Sequence, residues 1–166
     1  MASWRQLDSS DITGVMRVAD TIHAALPENE HVFAERIALF PEGCLGLVEN
    51  GEICGYAISF PIRRREPPAL NGILGEIAPD ADQYYVHDVC VLPMARGRGF
   101  AALGIGKLLA IAERYPSACL VSVYGTASFW GRYGFLPPSN NVSEVLLKKV
   151  RGYGDEAVYL EREIDQ

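Results

Sequence analysis

No apolar run in this chain reaches the roughly eighteen residues that a membrane-crossing helix requires, so none of it reads as a membrane span. The opening MASWRQLDSS lacks the basic flank and apolar core of a signal peptide, and the expected location is cytoplasmic. Cysteine is sparse: Cys44, Cys54, Cys90 and Cys119 lie far apart, with no Cys-x-x-Cys pair. Each sits among apolar or β-branched neighbours, as in EICGYAI and ACLVSV, and is expected to be a buried free thiol. Histidine is sparser still, and His23, His31 and His87 show no zinc-ligand spacing, so no metal site is expected. A basic excess is also missing. The net charge of −6 sets aside a general nucleic-acid binder and inclines the reading towards a cationic small substrate. Without repeats, low-complexity tracts or a linker, residues 1–166 are read as one domain, long enough to bury roughly 70% of its unfolded surface without staples.

What is present alternates between strand and helix patterns. SWRQL reads as a first strand, followed by Ile12, Val15, Val18, Ala19 and Ile22 at helical spacing. NEHVFAERIALF continues helical up to Pro41. Two β-rich runs, about 44–49 and 52–60, flank Asn50-Gly51, a strong hairpin signal. Residues 61–83 carry four prolines and the triplet Arg63-Arg64-Arg65, a long connection that suits a lid or a substrate wall. The arginines are read as a solvated patch, with contact to an anion as the alternative. YYVHDVCVL is a strand, a glycine-rich stretch opens a helix to about Arg114, ACLVSVY is a strand and TASFWGRY a short helix. SEVLLKKV and EAVYLERE are expected to close the chain as two antiparallel strands.

The stretch MARGRGFAALGIGKLL holds two glycine pairs, Gly97/Gly99 and Gly104/Gly106. Ala101, Ile105, Leu108 and Ala112 form a helical stripe, so the helix is already running at the second pair. The first pair falls at the strand-to-helix junction, where backbone N–H groups can approach an anion. The second is expected to serve packing. A nucleoside-triphosphate loop fails because its first glycine is Ala101 and the residue after Lys107 is Leu108. A dinucleotide fingerprint fails because the Gly99 to Gly104 match has Ala101 in the middle.

VCVLPMARGRGFA resembles the acetyl-coenzyme-A loop of the Gcn5-related N-acetyltransferase superfamily, whose Arg/Gln-x-x-Gly-x-Gly/Ala pattern is met by Arg96, Gly99 and Ala101. ASFWGRYGF is similar to the short helix and turn that close the cofactor site there, and the order of elements matches along nearly the whole chain. The resemblance implies a single-domain α/β acyl-CoA N-acyltransferase fold, with a mixed central sheet of about seven strands flanked by helices. It implies acetyl-CoA as cosubstrate. Its diphosphate would lie on Arg96, Gly97, Arg98, Gly99, Phe100 and Ala101, and its pantetheine arm between two splayed strands, beside Val89, Cys90 and Val91 and against Phe129 and Trp130. The implied reaction is direct transfer of acetyl to the primary amine of a small molecule in a ternary complex. A protein or peptide acceptor, and a non-catalytic acyl-CoA-binding module, are the alternatives. Neither nucleic acid nor membrane is an expected partner, and a homodimer is left open.

An alkyl amine with a pKa of about 10 is mostly protonated at neutral pH, so a base or a water chain must remove a proton before attack. Strand alternation puts Tyr85, His87, Val89 and Val91 on one face and Asp88 and Cys90 on the other, so His87 and Asp88 cannot both face the acceptor unless a bulge intervenes. Resemblance to arylalkylamine N-acetyltransferases implies His87 as base, with Tyr85 as wall or relay. A satisfied core His87 and an ion-paired or capping Asp88 are the alternative. Many relatives carry Phe-Tyr in the closing helix and use that tyrosine as acid. Here the pair is Phe129-Trp130, and an indole N–H cannot serve, which leaves Tyr124, Tyr133 or solvent.

Overall fold

The structure is a computed structural model that describes residues 1–164. Six strands, β1 (Ser3–Gln6), β2 (Cys44–Glu49), β3 (Glu52–Ile62), β4 (Gln83–Val91), β5 (Ser117–Ser122) and β6 (Val158–Glu163), form one sheet in sequence order. Asn50 and Gly51 turn β2 into β3 with φ of 52° and 77°, the left-handed values a tight hairpin demands. All neighbours are antiparallel except β4 and β5, which run parallel and are joined through a helix. That parallel pairing is short, confined to Tyr84–Val86 against Ala118–Leu120.

Helices α1 (Ile12–Ile22) and α2 (Glu30–Leu39) cover one face of the sheet, where Val15, Val18, Phe33 and Ile37 pack with Tyr56, Ile58 and Phe60. Helix α3 (Phe100–Ala112) covers the other, with Ile105, Leu108 and Ala112 against Tyr84, Val86 and Leu120. The valine, leucine, isoleucine and phenylalanine side chains among these contribute about 1.5–3 kcal/mol each on full burial. The short α4 (Ala127–Gly131) follows β5, and α5 (Glu144–Arg151) precedes β6. All four cysteines are buried and free. No helix among the described residues is long and apolar enough to cross a membrane.

SEVLLKKV is a helix, not the expected strand. Ser143 caps it by accepting from the Leu146 amide at 3.1 Å, Leu146 and Val150 bury one face four residues apart, and Lys148, Lys149 and Arg151 sit at its negative end. The sheet accordingly has six strands rather than about seven. Leu136 makes an isolated bridge to β6, exchanging backbone hydrogen bonds of 2.9 and 2.8 Å with Glu161. Pro137 and Pro138 follow at once, and neither has an N–H to extend the ladder.

The arginine triplet is only partly solvated. Arg63 pairs with exposed Asp80, whereas Arg65 grips the buried Glu161 carboxylate through Nε at 2.7 Å and an NH2 at 2.8 Å. Burial alone would raise the Glu161 pKa, but Arg65, Tyr159 and Gln83 outweigh it and hold the carboxyl down at about 2. The 63–82 connection is fastened at its middle as well. Glu35 accepts from the Leu74 and Gly75 amides, and the Arg36 guanidinium donates to the Gly72 carbonyl.

Candidate active site

Strand β4 changes course in its middle. Ile58 of β3 faces Asp88 while the next residue, Ser59, faces Val86, so His87 is an extra residue on β4. This bulge supplies the condition under which simple alternation fails. Tyr85, His87, Asp88 and Cys90 all turn to the α1/α2 face, where Tyr85 and Cys90 join the core and Asp88 meets Tyr56. Val89 and Val91 pack on the α3 side. The expected grouping of His87 with Val89 and Val91 is therefore corrected. The bulge follows the last β4–β5 pair, and past it the two strands separate around a cavity of about 380 Å³. Its walls include Val86–Val91, Leu120, Val123, Tyr124 and Trp130.

A second cavity of about 510 Å³, sharing Val91, Arg96, Ala101 and Phe129 with the first, extends along the glycine loop. Gly97 and Gly99 hold φ of 76° and 82°, and nothing lies within 4 Å of where a Cβ would stand at either. Gly99 is the N-cap of α3, so the loop opens on the positive end of a 13-residue helix. Backbone amides, a helix N-terminus and open space at both glycines suit the diphosphate of coenzyme A. Arg96 is braced by donating from Nε to the Val91 carbonyl at 2.9 Å and lines both cavities. Arg98 lies elsewhere: it pairs with Glu49 at 2.7 Å and stacks over the Phe100 ring.

The second glycine pair divides. A Cβ at Gly104 would come within 2.6 Å of the Trp4 ring, whose indole N–H donates to the Phe100 carbonyl at 2.8 Å. Gly104 thus serves packing as expected. Gly106 is exposed, with open space around it, and has no packing role.

Two carboxylate–histidine pairs meet at the bulge. In the first, Asp88 lies 2.9 Å from His23 Nε2 and accepts a hydrogen bond of 2.6 Å from the Tyr56 hydroxyl. His23 Nδ1 stands 3.0 Å from the Tyr124 hydroxyl, and the two rings stack. An ionised Asp88 can only accept, which places the imidazole proton on Nε2 and leaves Nδ1 to accept from Tyr124. Burial lowers the His23 pKa, but hydrogen bonding and charge from Asp88 outweigh it, and the value is raised above the ordinary 6.5. Burial and Asp88 push Tyr124 up. Its left-handed φ of 56°, followed by Gly125 at 72°, aims a half-exposed phenol across the cleft.

In the second pair, His87 Nε2 lies 2.7 Å from Glu28, with side chains only 3% and 7% exposed. The other Glu28 oxygen accepts from the Asn71 amide at 2.8 Å, tying the 63–82 segment to β4. Burial raises the Glu28 pKa, but His87, Asn71 and Arg36 more than reverse this and bring it to about 2. His87 Nδ1 is 3.4 Å from the Tyr85 hydroxyl, at the start of a chain running on to Tyr153.

Of the residues singled out from sequence, His87, Asp88, Tyr124, Val89, Cys90, Val91, Arg96, Ala101, Phe129 and Trp130 gather at the first cavity. Gly97, Gly99 and Phe100 gather at the second. Tyr133 borders only the loop cavity and packs on Phe129 and Trp130, apart from the relay. His23, Glu28 and Tyr56 escaped the sequence reading. The one signal for His23 was its place directly after the apolar stripe of α1.

No curated protein matches the chain. A model of the acetyltransferase (GNAT) family matches residues 11–135. Among solved structures, Ard1 from Thermoplasma volcanium is similar at 16% identity and a TM-score of 0.69 over 99% of each chain. N-acetylglutamate synthase from Neisseria gonorrhoeae, complexed with coenzyme A and N-acetylglutamate, aligns with all of this chain but 36% of its own, at 17% identity and a TM-score of 0.74. Naa50 from Arabidopsis thaliana, bound to a bisubstrate analogue, aligns over 98% of this chain and 99% of its own, at 13% identity and a TM-score of 0.68. At these identities the likeness is one of fold.

Proposed function

The chain belongs to the acetyltransferase (GNAT) family, and from that premise we propose that it transfers an acetyl group from acetyl-CoA directly to a primary amine of a small molecule. The observation that carries this reading is the bulge at His87, which opens the sheet and aims the Tyr124–His23–Asp88 chain into the gap. Acetyl-CoA supplies the acyl group. Gly97, Gly99 and the N-terminus of α3 hold its diphosphate, while the amides of β4 freed from β5 are available to the thioester carbonyl. The acceptor's ammonium proton passes through the Tyr124 hydroxyl to His23 Nδ1, and Asp88 stabilises the imidazolium that forms. The free amine attacks the carbonyl carbon and the C–S bond breaks. Tyr124, kept protonated by its raised pKa, donates to the departing thiolate and is restored from His23, while the second proton of the attacking nitrogen leaves to solvent as the amide forms.

His23 replaces His87 as the assigned base because both nitrogens of the His87 ring face buried partners, Nε2 on Glu28 and Nδ1 towards Tyr85, whereas His23 Nδ1 is reached from the cleft through Tyr124. Tyr133 has no part in proton transfer. Beside His23 and Asp88, a space of about 30 Å³ walled by Leu26, Leu70 and Tyr153 has room for one or two waters at the relay.

The test is a turnover screen of small amines, amino acids, polyamines and N-terminal peptides, following acceptor-dependent release of free thiol from acetyl-CoA. Release with small amines is the expected result. Turnover confined to peptides would move the acceptor class, and acetyl-CoA binding without turnover would leave a binding module.

A further inference from the structure

His23, Asp88 and Cys90 bring an imidazole nitrogen, a carboxylate oxygen and a thiol sulfur within 4.8 Å of one another on the wall of the cleft. Donor atoms around a tetrahedral zinc stand roughly 3.3–3.8 Å apart for bonds of about 2.0–2.3 Å, so a contraction of about 1 Å would close the set. All three side chains are largely enclosed, and the His23–Asp88 edge, a hydrogen bond of 2.9 Å, opens by roughly 0.4 Å to reach the ligand spacing while the Cys90 edges close. Nitrogen, oxygen and sulfur together suit zinc rather than magnesium or calcium, which take oxygen alone. A fourth position opens on the cavity that all three residues line.

We infer that His23, Asp88 and Cys90 form an inhibitory binding site for a thiophilic divalent cation of the zinc type. The regulatory part of this inference rests on the acyl-transfer reading above; the binding part does not. On uptake, the Cys90 thiol proton leaves to solvent and the sulfur ligates as thiolate. His23 ligates through Nε2, its ring proton moving to Nδ1, where the Tyr124 oxygen accepts it and orients the ring. Asp88 exchanges its hydrogen bond with His23 for the metal and retains Tyr56 as donor. With Nδ1 protonated and Nε2 on the metal, His23 has no lone pair for the acceptor's proton. Asp88 and Cys90 come from one strand, but no local spacing links them to His23. Cys90 reaches the site because it stands two residues beyond Asp88 on β4 and shares its face, which the bulge turns towards the α1 side of the sheet.

The test titrates Zn²⁺ alone into the metal-stripped full chain by calorimetry, with Co²⁺ alone as a spectroscopic probe. One Zn²⁺ per chain is expected, together with thiolate-to-Co²⁺ charge-transfer absorption. Cys90→Ser and His23→Gln should each weaken Zn²⁺ binding by more than about tenfold, since loss of even an outer partner costs a metal site at least that much. A cooperative thermal melt checks each variant. If buried Cys90→Ser does not fold, His23→Gln at the cleft wall and the Co²⁺ spectrum of the unaltered chain decide. No stoichiometric uptake, a cobalt spectrum without thiolate absorption, or unaltered affinity in a folded variant would overturn the site. Added Zn²⁺ should inhibit acetyl transfer reversibly under chelation, and stoichiometric binding without inhibition would overturn the regulatory part. Because uptake is measured without acetyl-CoA or amine, its failure leaves the transfer reading standing. An inactive chain that still takes up zinc fails the transfer reading alone.

Discussion

The glycine loop and the bulged middle of β4 lie at neighbouring parts of one cleft, yet they are built on opposite principles. The loop works through backbone: Gly97 and Gly99 adopt left-handed φ with open space where a Cβ would stand, so its chemistry is contained in six consecutive residues. The bulge works through side chains brought from far apart. His23 follows α1, Glu28 precedes α2, Tyr56 stands on β3 and Tyr124 follows β5. Loss of one side chain should therefore injure the second region more selectively than the first. A loop of amides is injured only by changing the backbone or filling its space.

The largest difference is expected at the relay. His23→Gln should lower kcat by about 10²- to 10⁴-fold, the usual scale of general acid–base catalysis, with the Kd for acetyl-CoA little changed. Its raised pKa sets the sign: the neutral ring is the base, so the unaltered enzyme's rate climbs as pH rises through a value above 6.5, and this limb should vanish in the variant. The measurement is a pH–rate profile of both proteins. A preserved limb in His23→Gln with its loss in His87→Ala would return the base to His87 and break the contrast.

Next is Glu28→Leu, which leaves His87 buried without its partner. Breaking such a pair costs about 3–5 kcal/mol of stability, read by chemical denaturation at neutral pH. Since the folded Glu28 pKa is depressed from 4.5 to about 2, the pair's stabilisation is present above about 4.5 and fades as pH falls towards 2. The unaltered protein should lose stability across that window more steeply than the variant.

Gly99→Val tests the loop in the opposite sense. It should weaken acetyl-CoA binding by more than about tenfold through strain at φ 82° and a filled cradle, a cost of about 1–2 kcal/mol, with the pH profile of the remaining activity unshifted. Equilibrium binding by calorimetry reads it, and unchanged affinity in a folded variant would remove the phosphate assignment. The smallest effect belongs to Gly106→Ala. The site is exposed and open, so the alanine should stabilise α3 by about 1 kcal/mol without altering cofactor affinity. Destabilisation would show that Gly106 packs after all.

Legibility in the sequence followed the same division. Helix α3 and its loop could be read because the apolar stripe of Ala101, Ile105, Leu108 and Ala112 fixes where the helix is already running, and hence which glycines precede it. The hairpin at Asn50-Gly51 was equally local. SEVLLKKV misled because four apolar residues in so short a run suit either period, and the cap of Ser143 decided for helix. The expected burial of four free thiols was met because their apolar settings are local too.

The sequence by itself determined the order of strands and helices as far as the short α4, the anion-accepting junction at Gly97–Ala101 and the family resemblance, since each depends on periodicity or spacing within about a dozen residues. Only the tertiary structure decided the site's polarity. His87 is set against Glu28 and Asp88 against His23 because β3 and β4 slip by one residue between Ile58 and Ser59, a register settled by packing both faces of the sheet at once. A single extra residue reverses every later side chain of a strand. Alternation read along β4 alone could not reveal it, because the partner strand, and not β4 itself, defines where the extra residue falls.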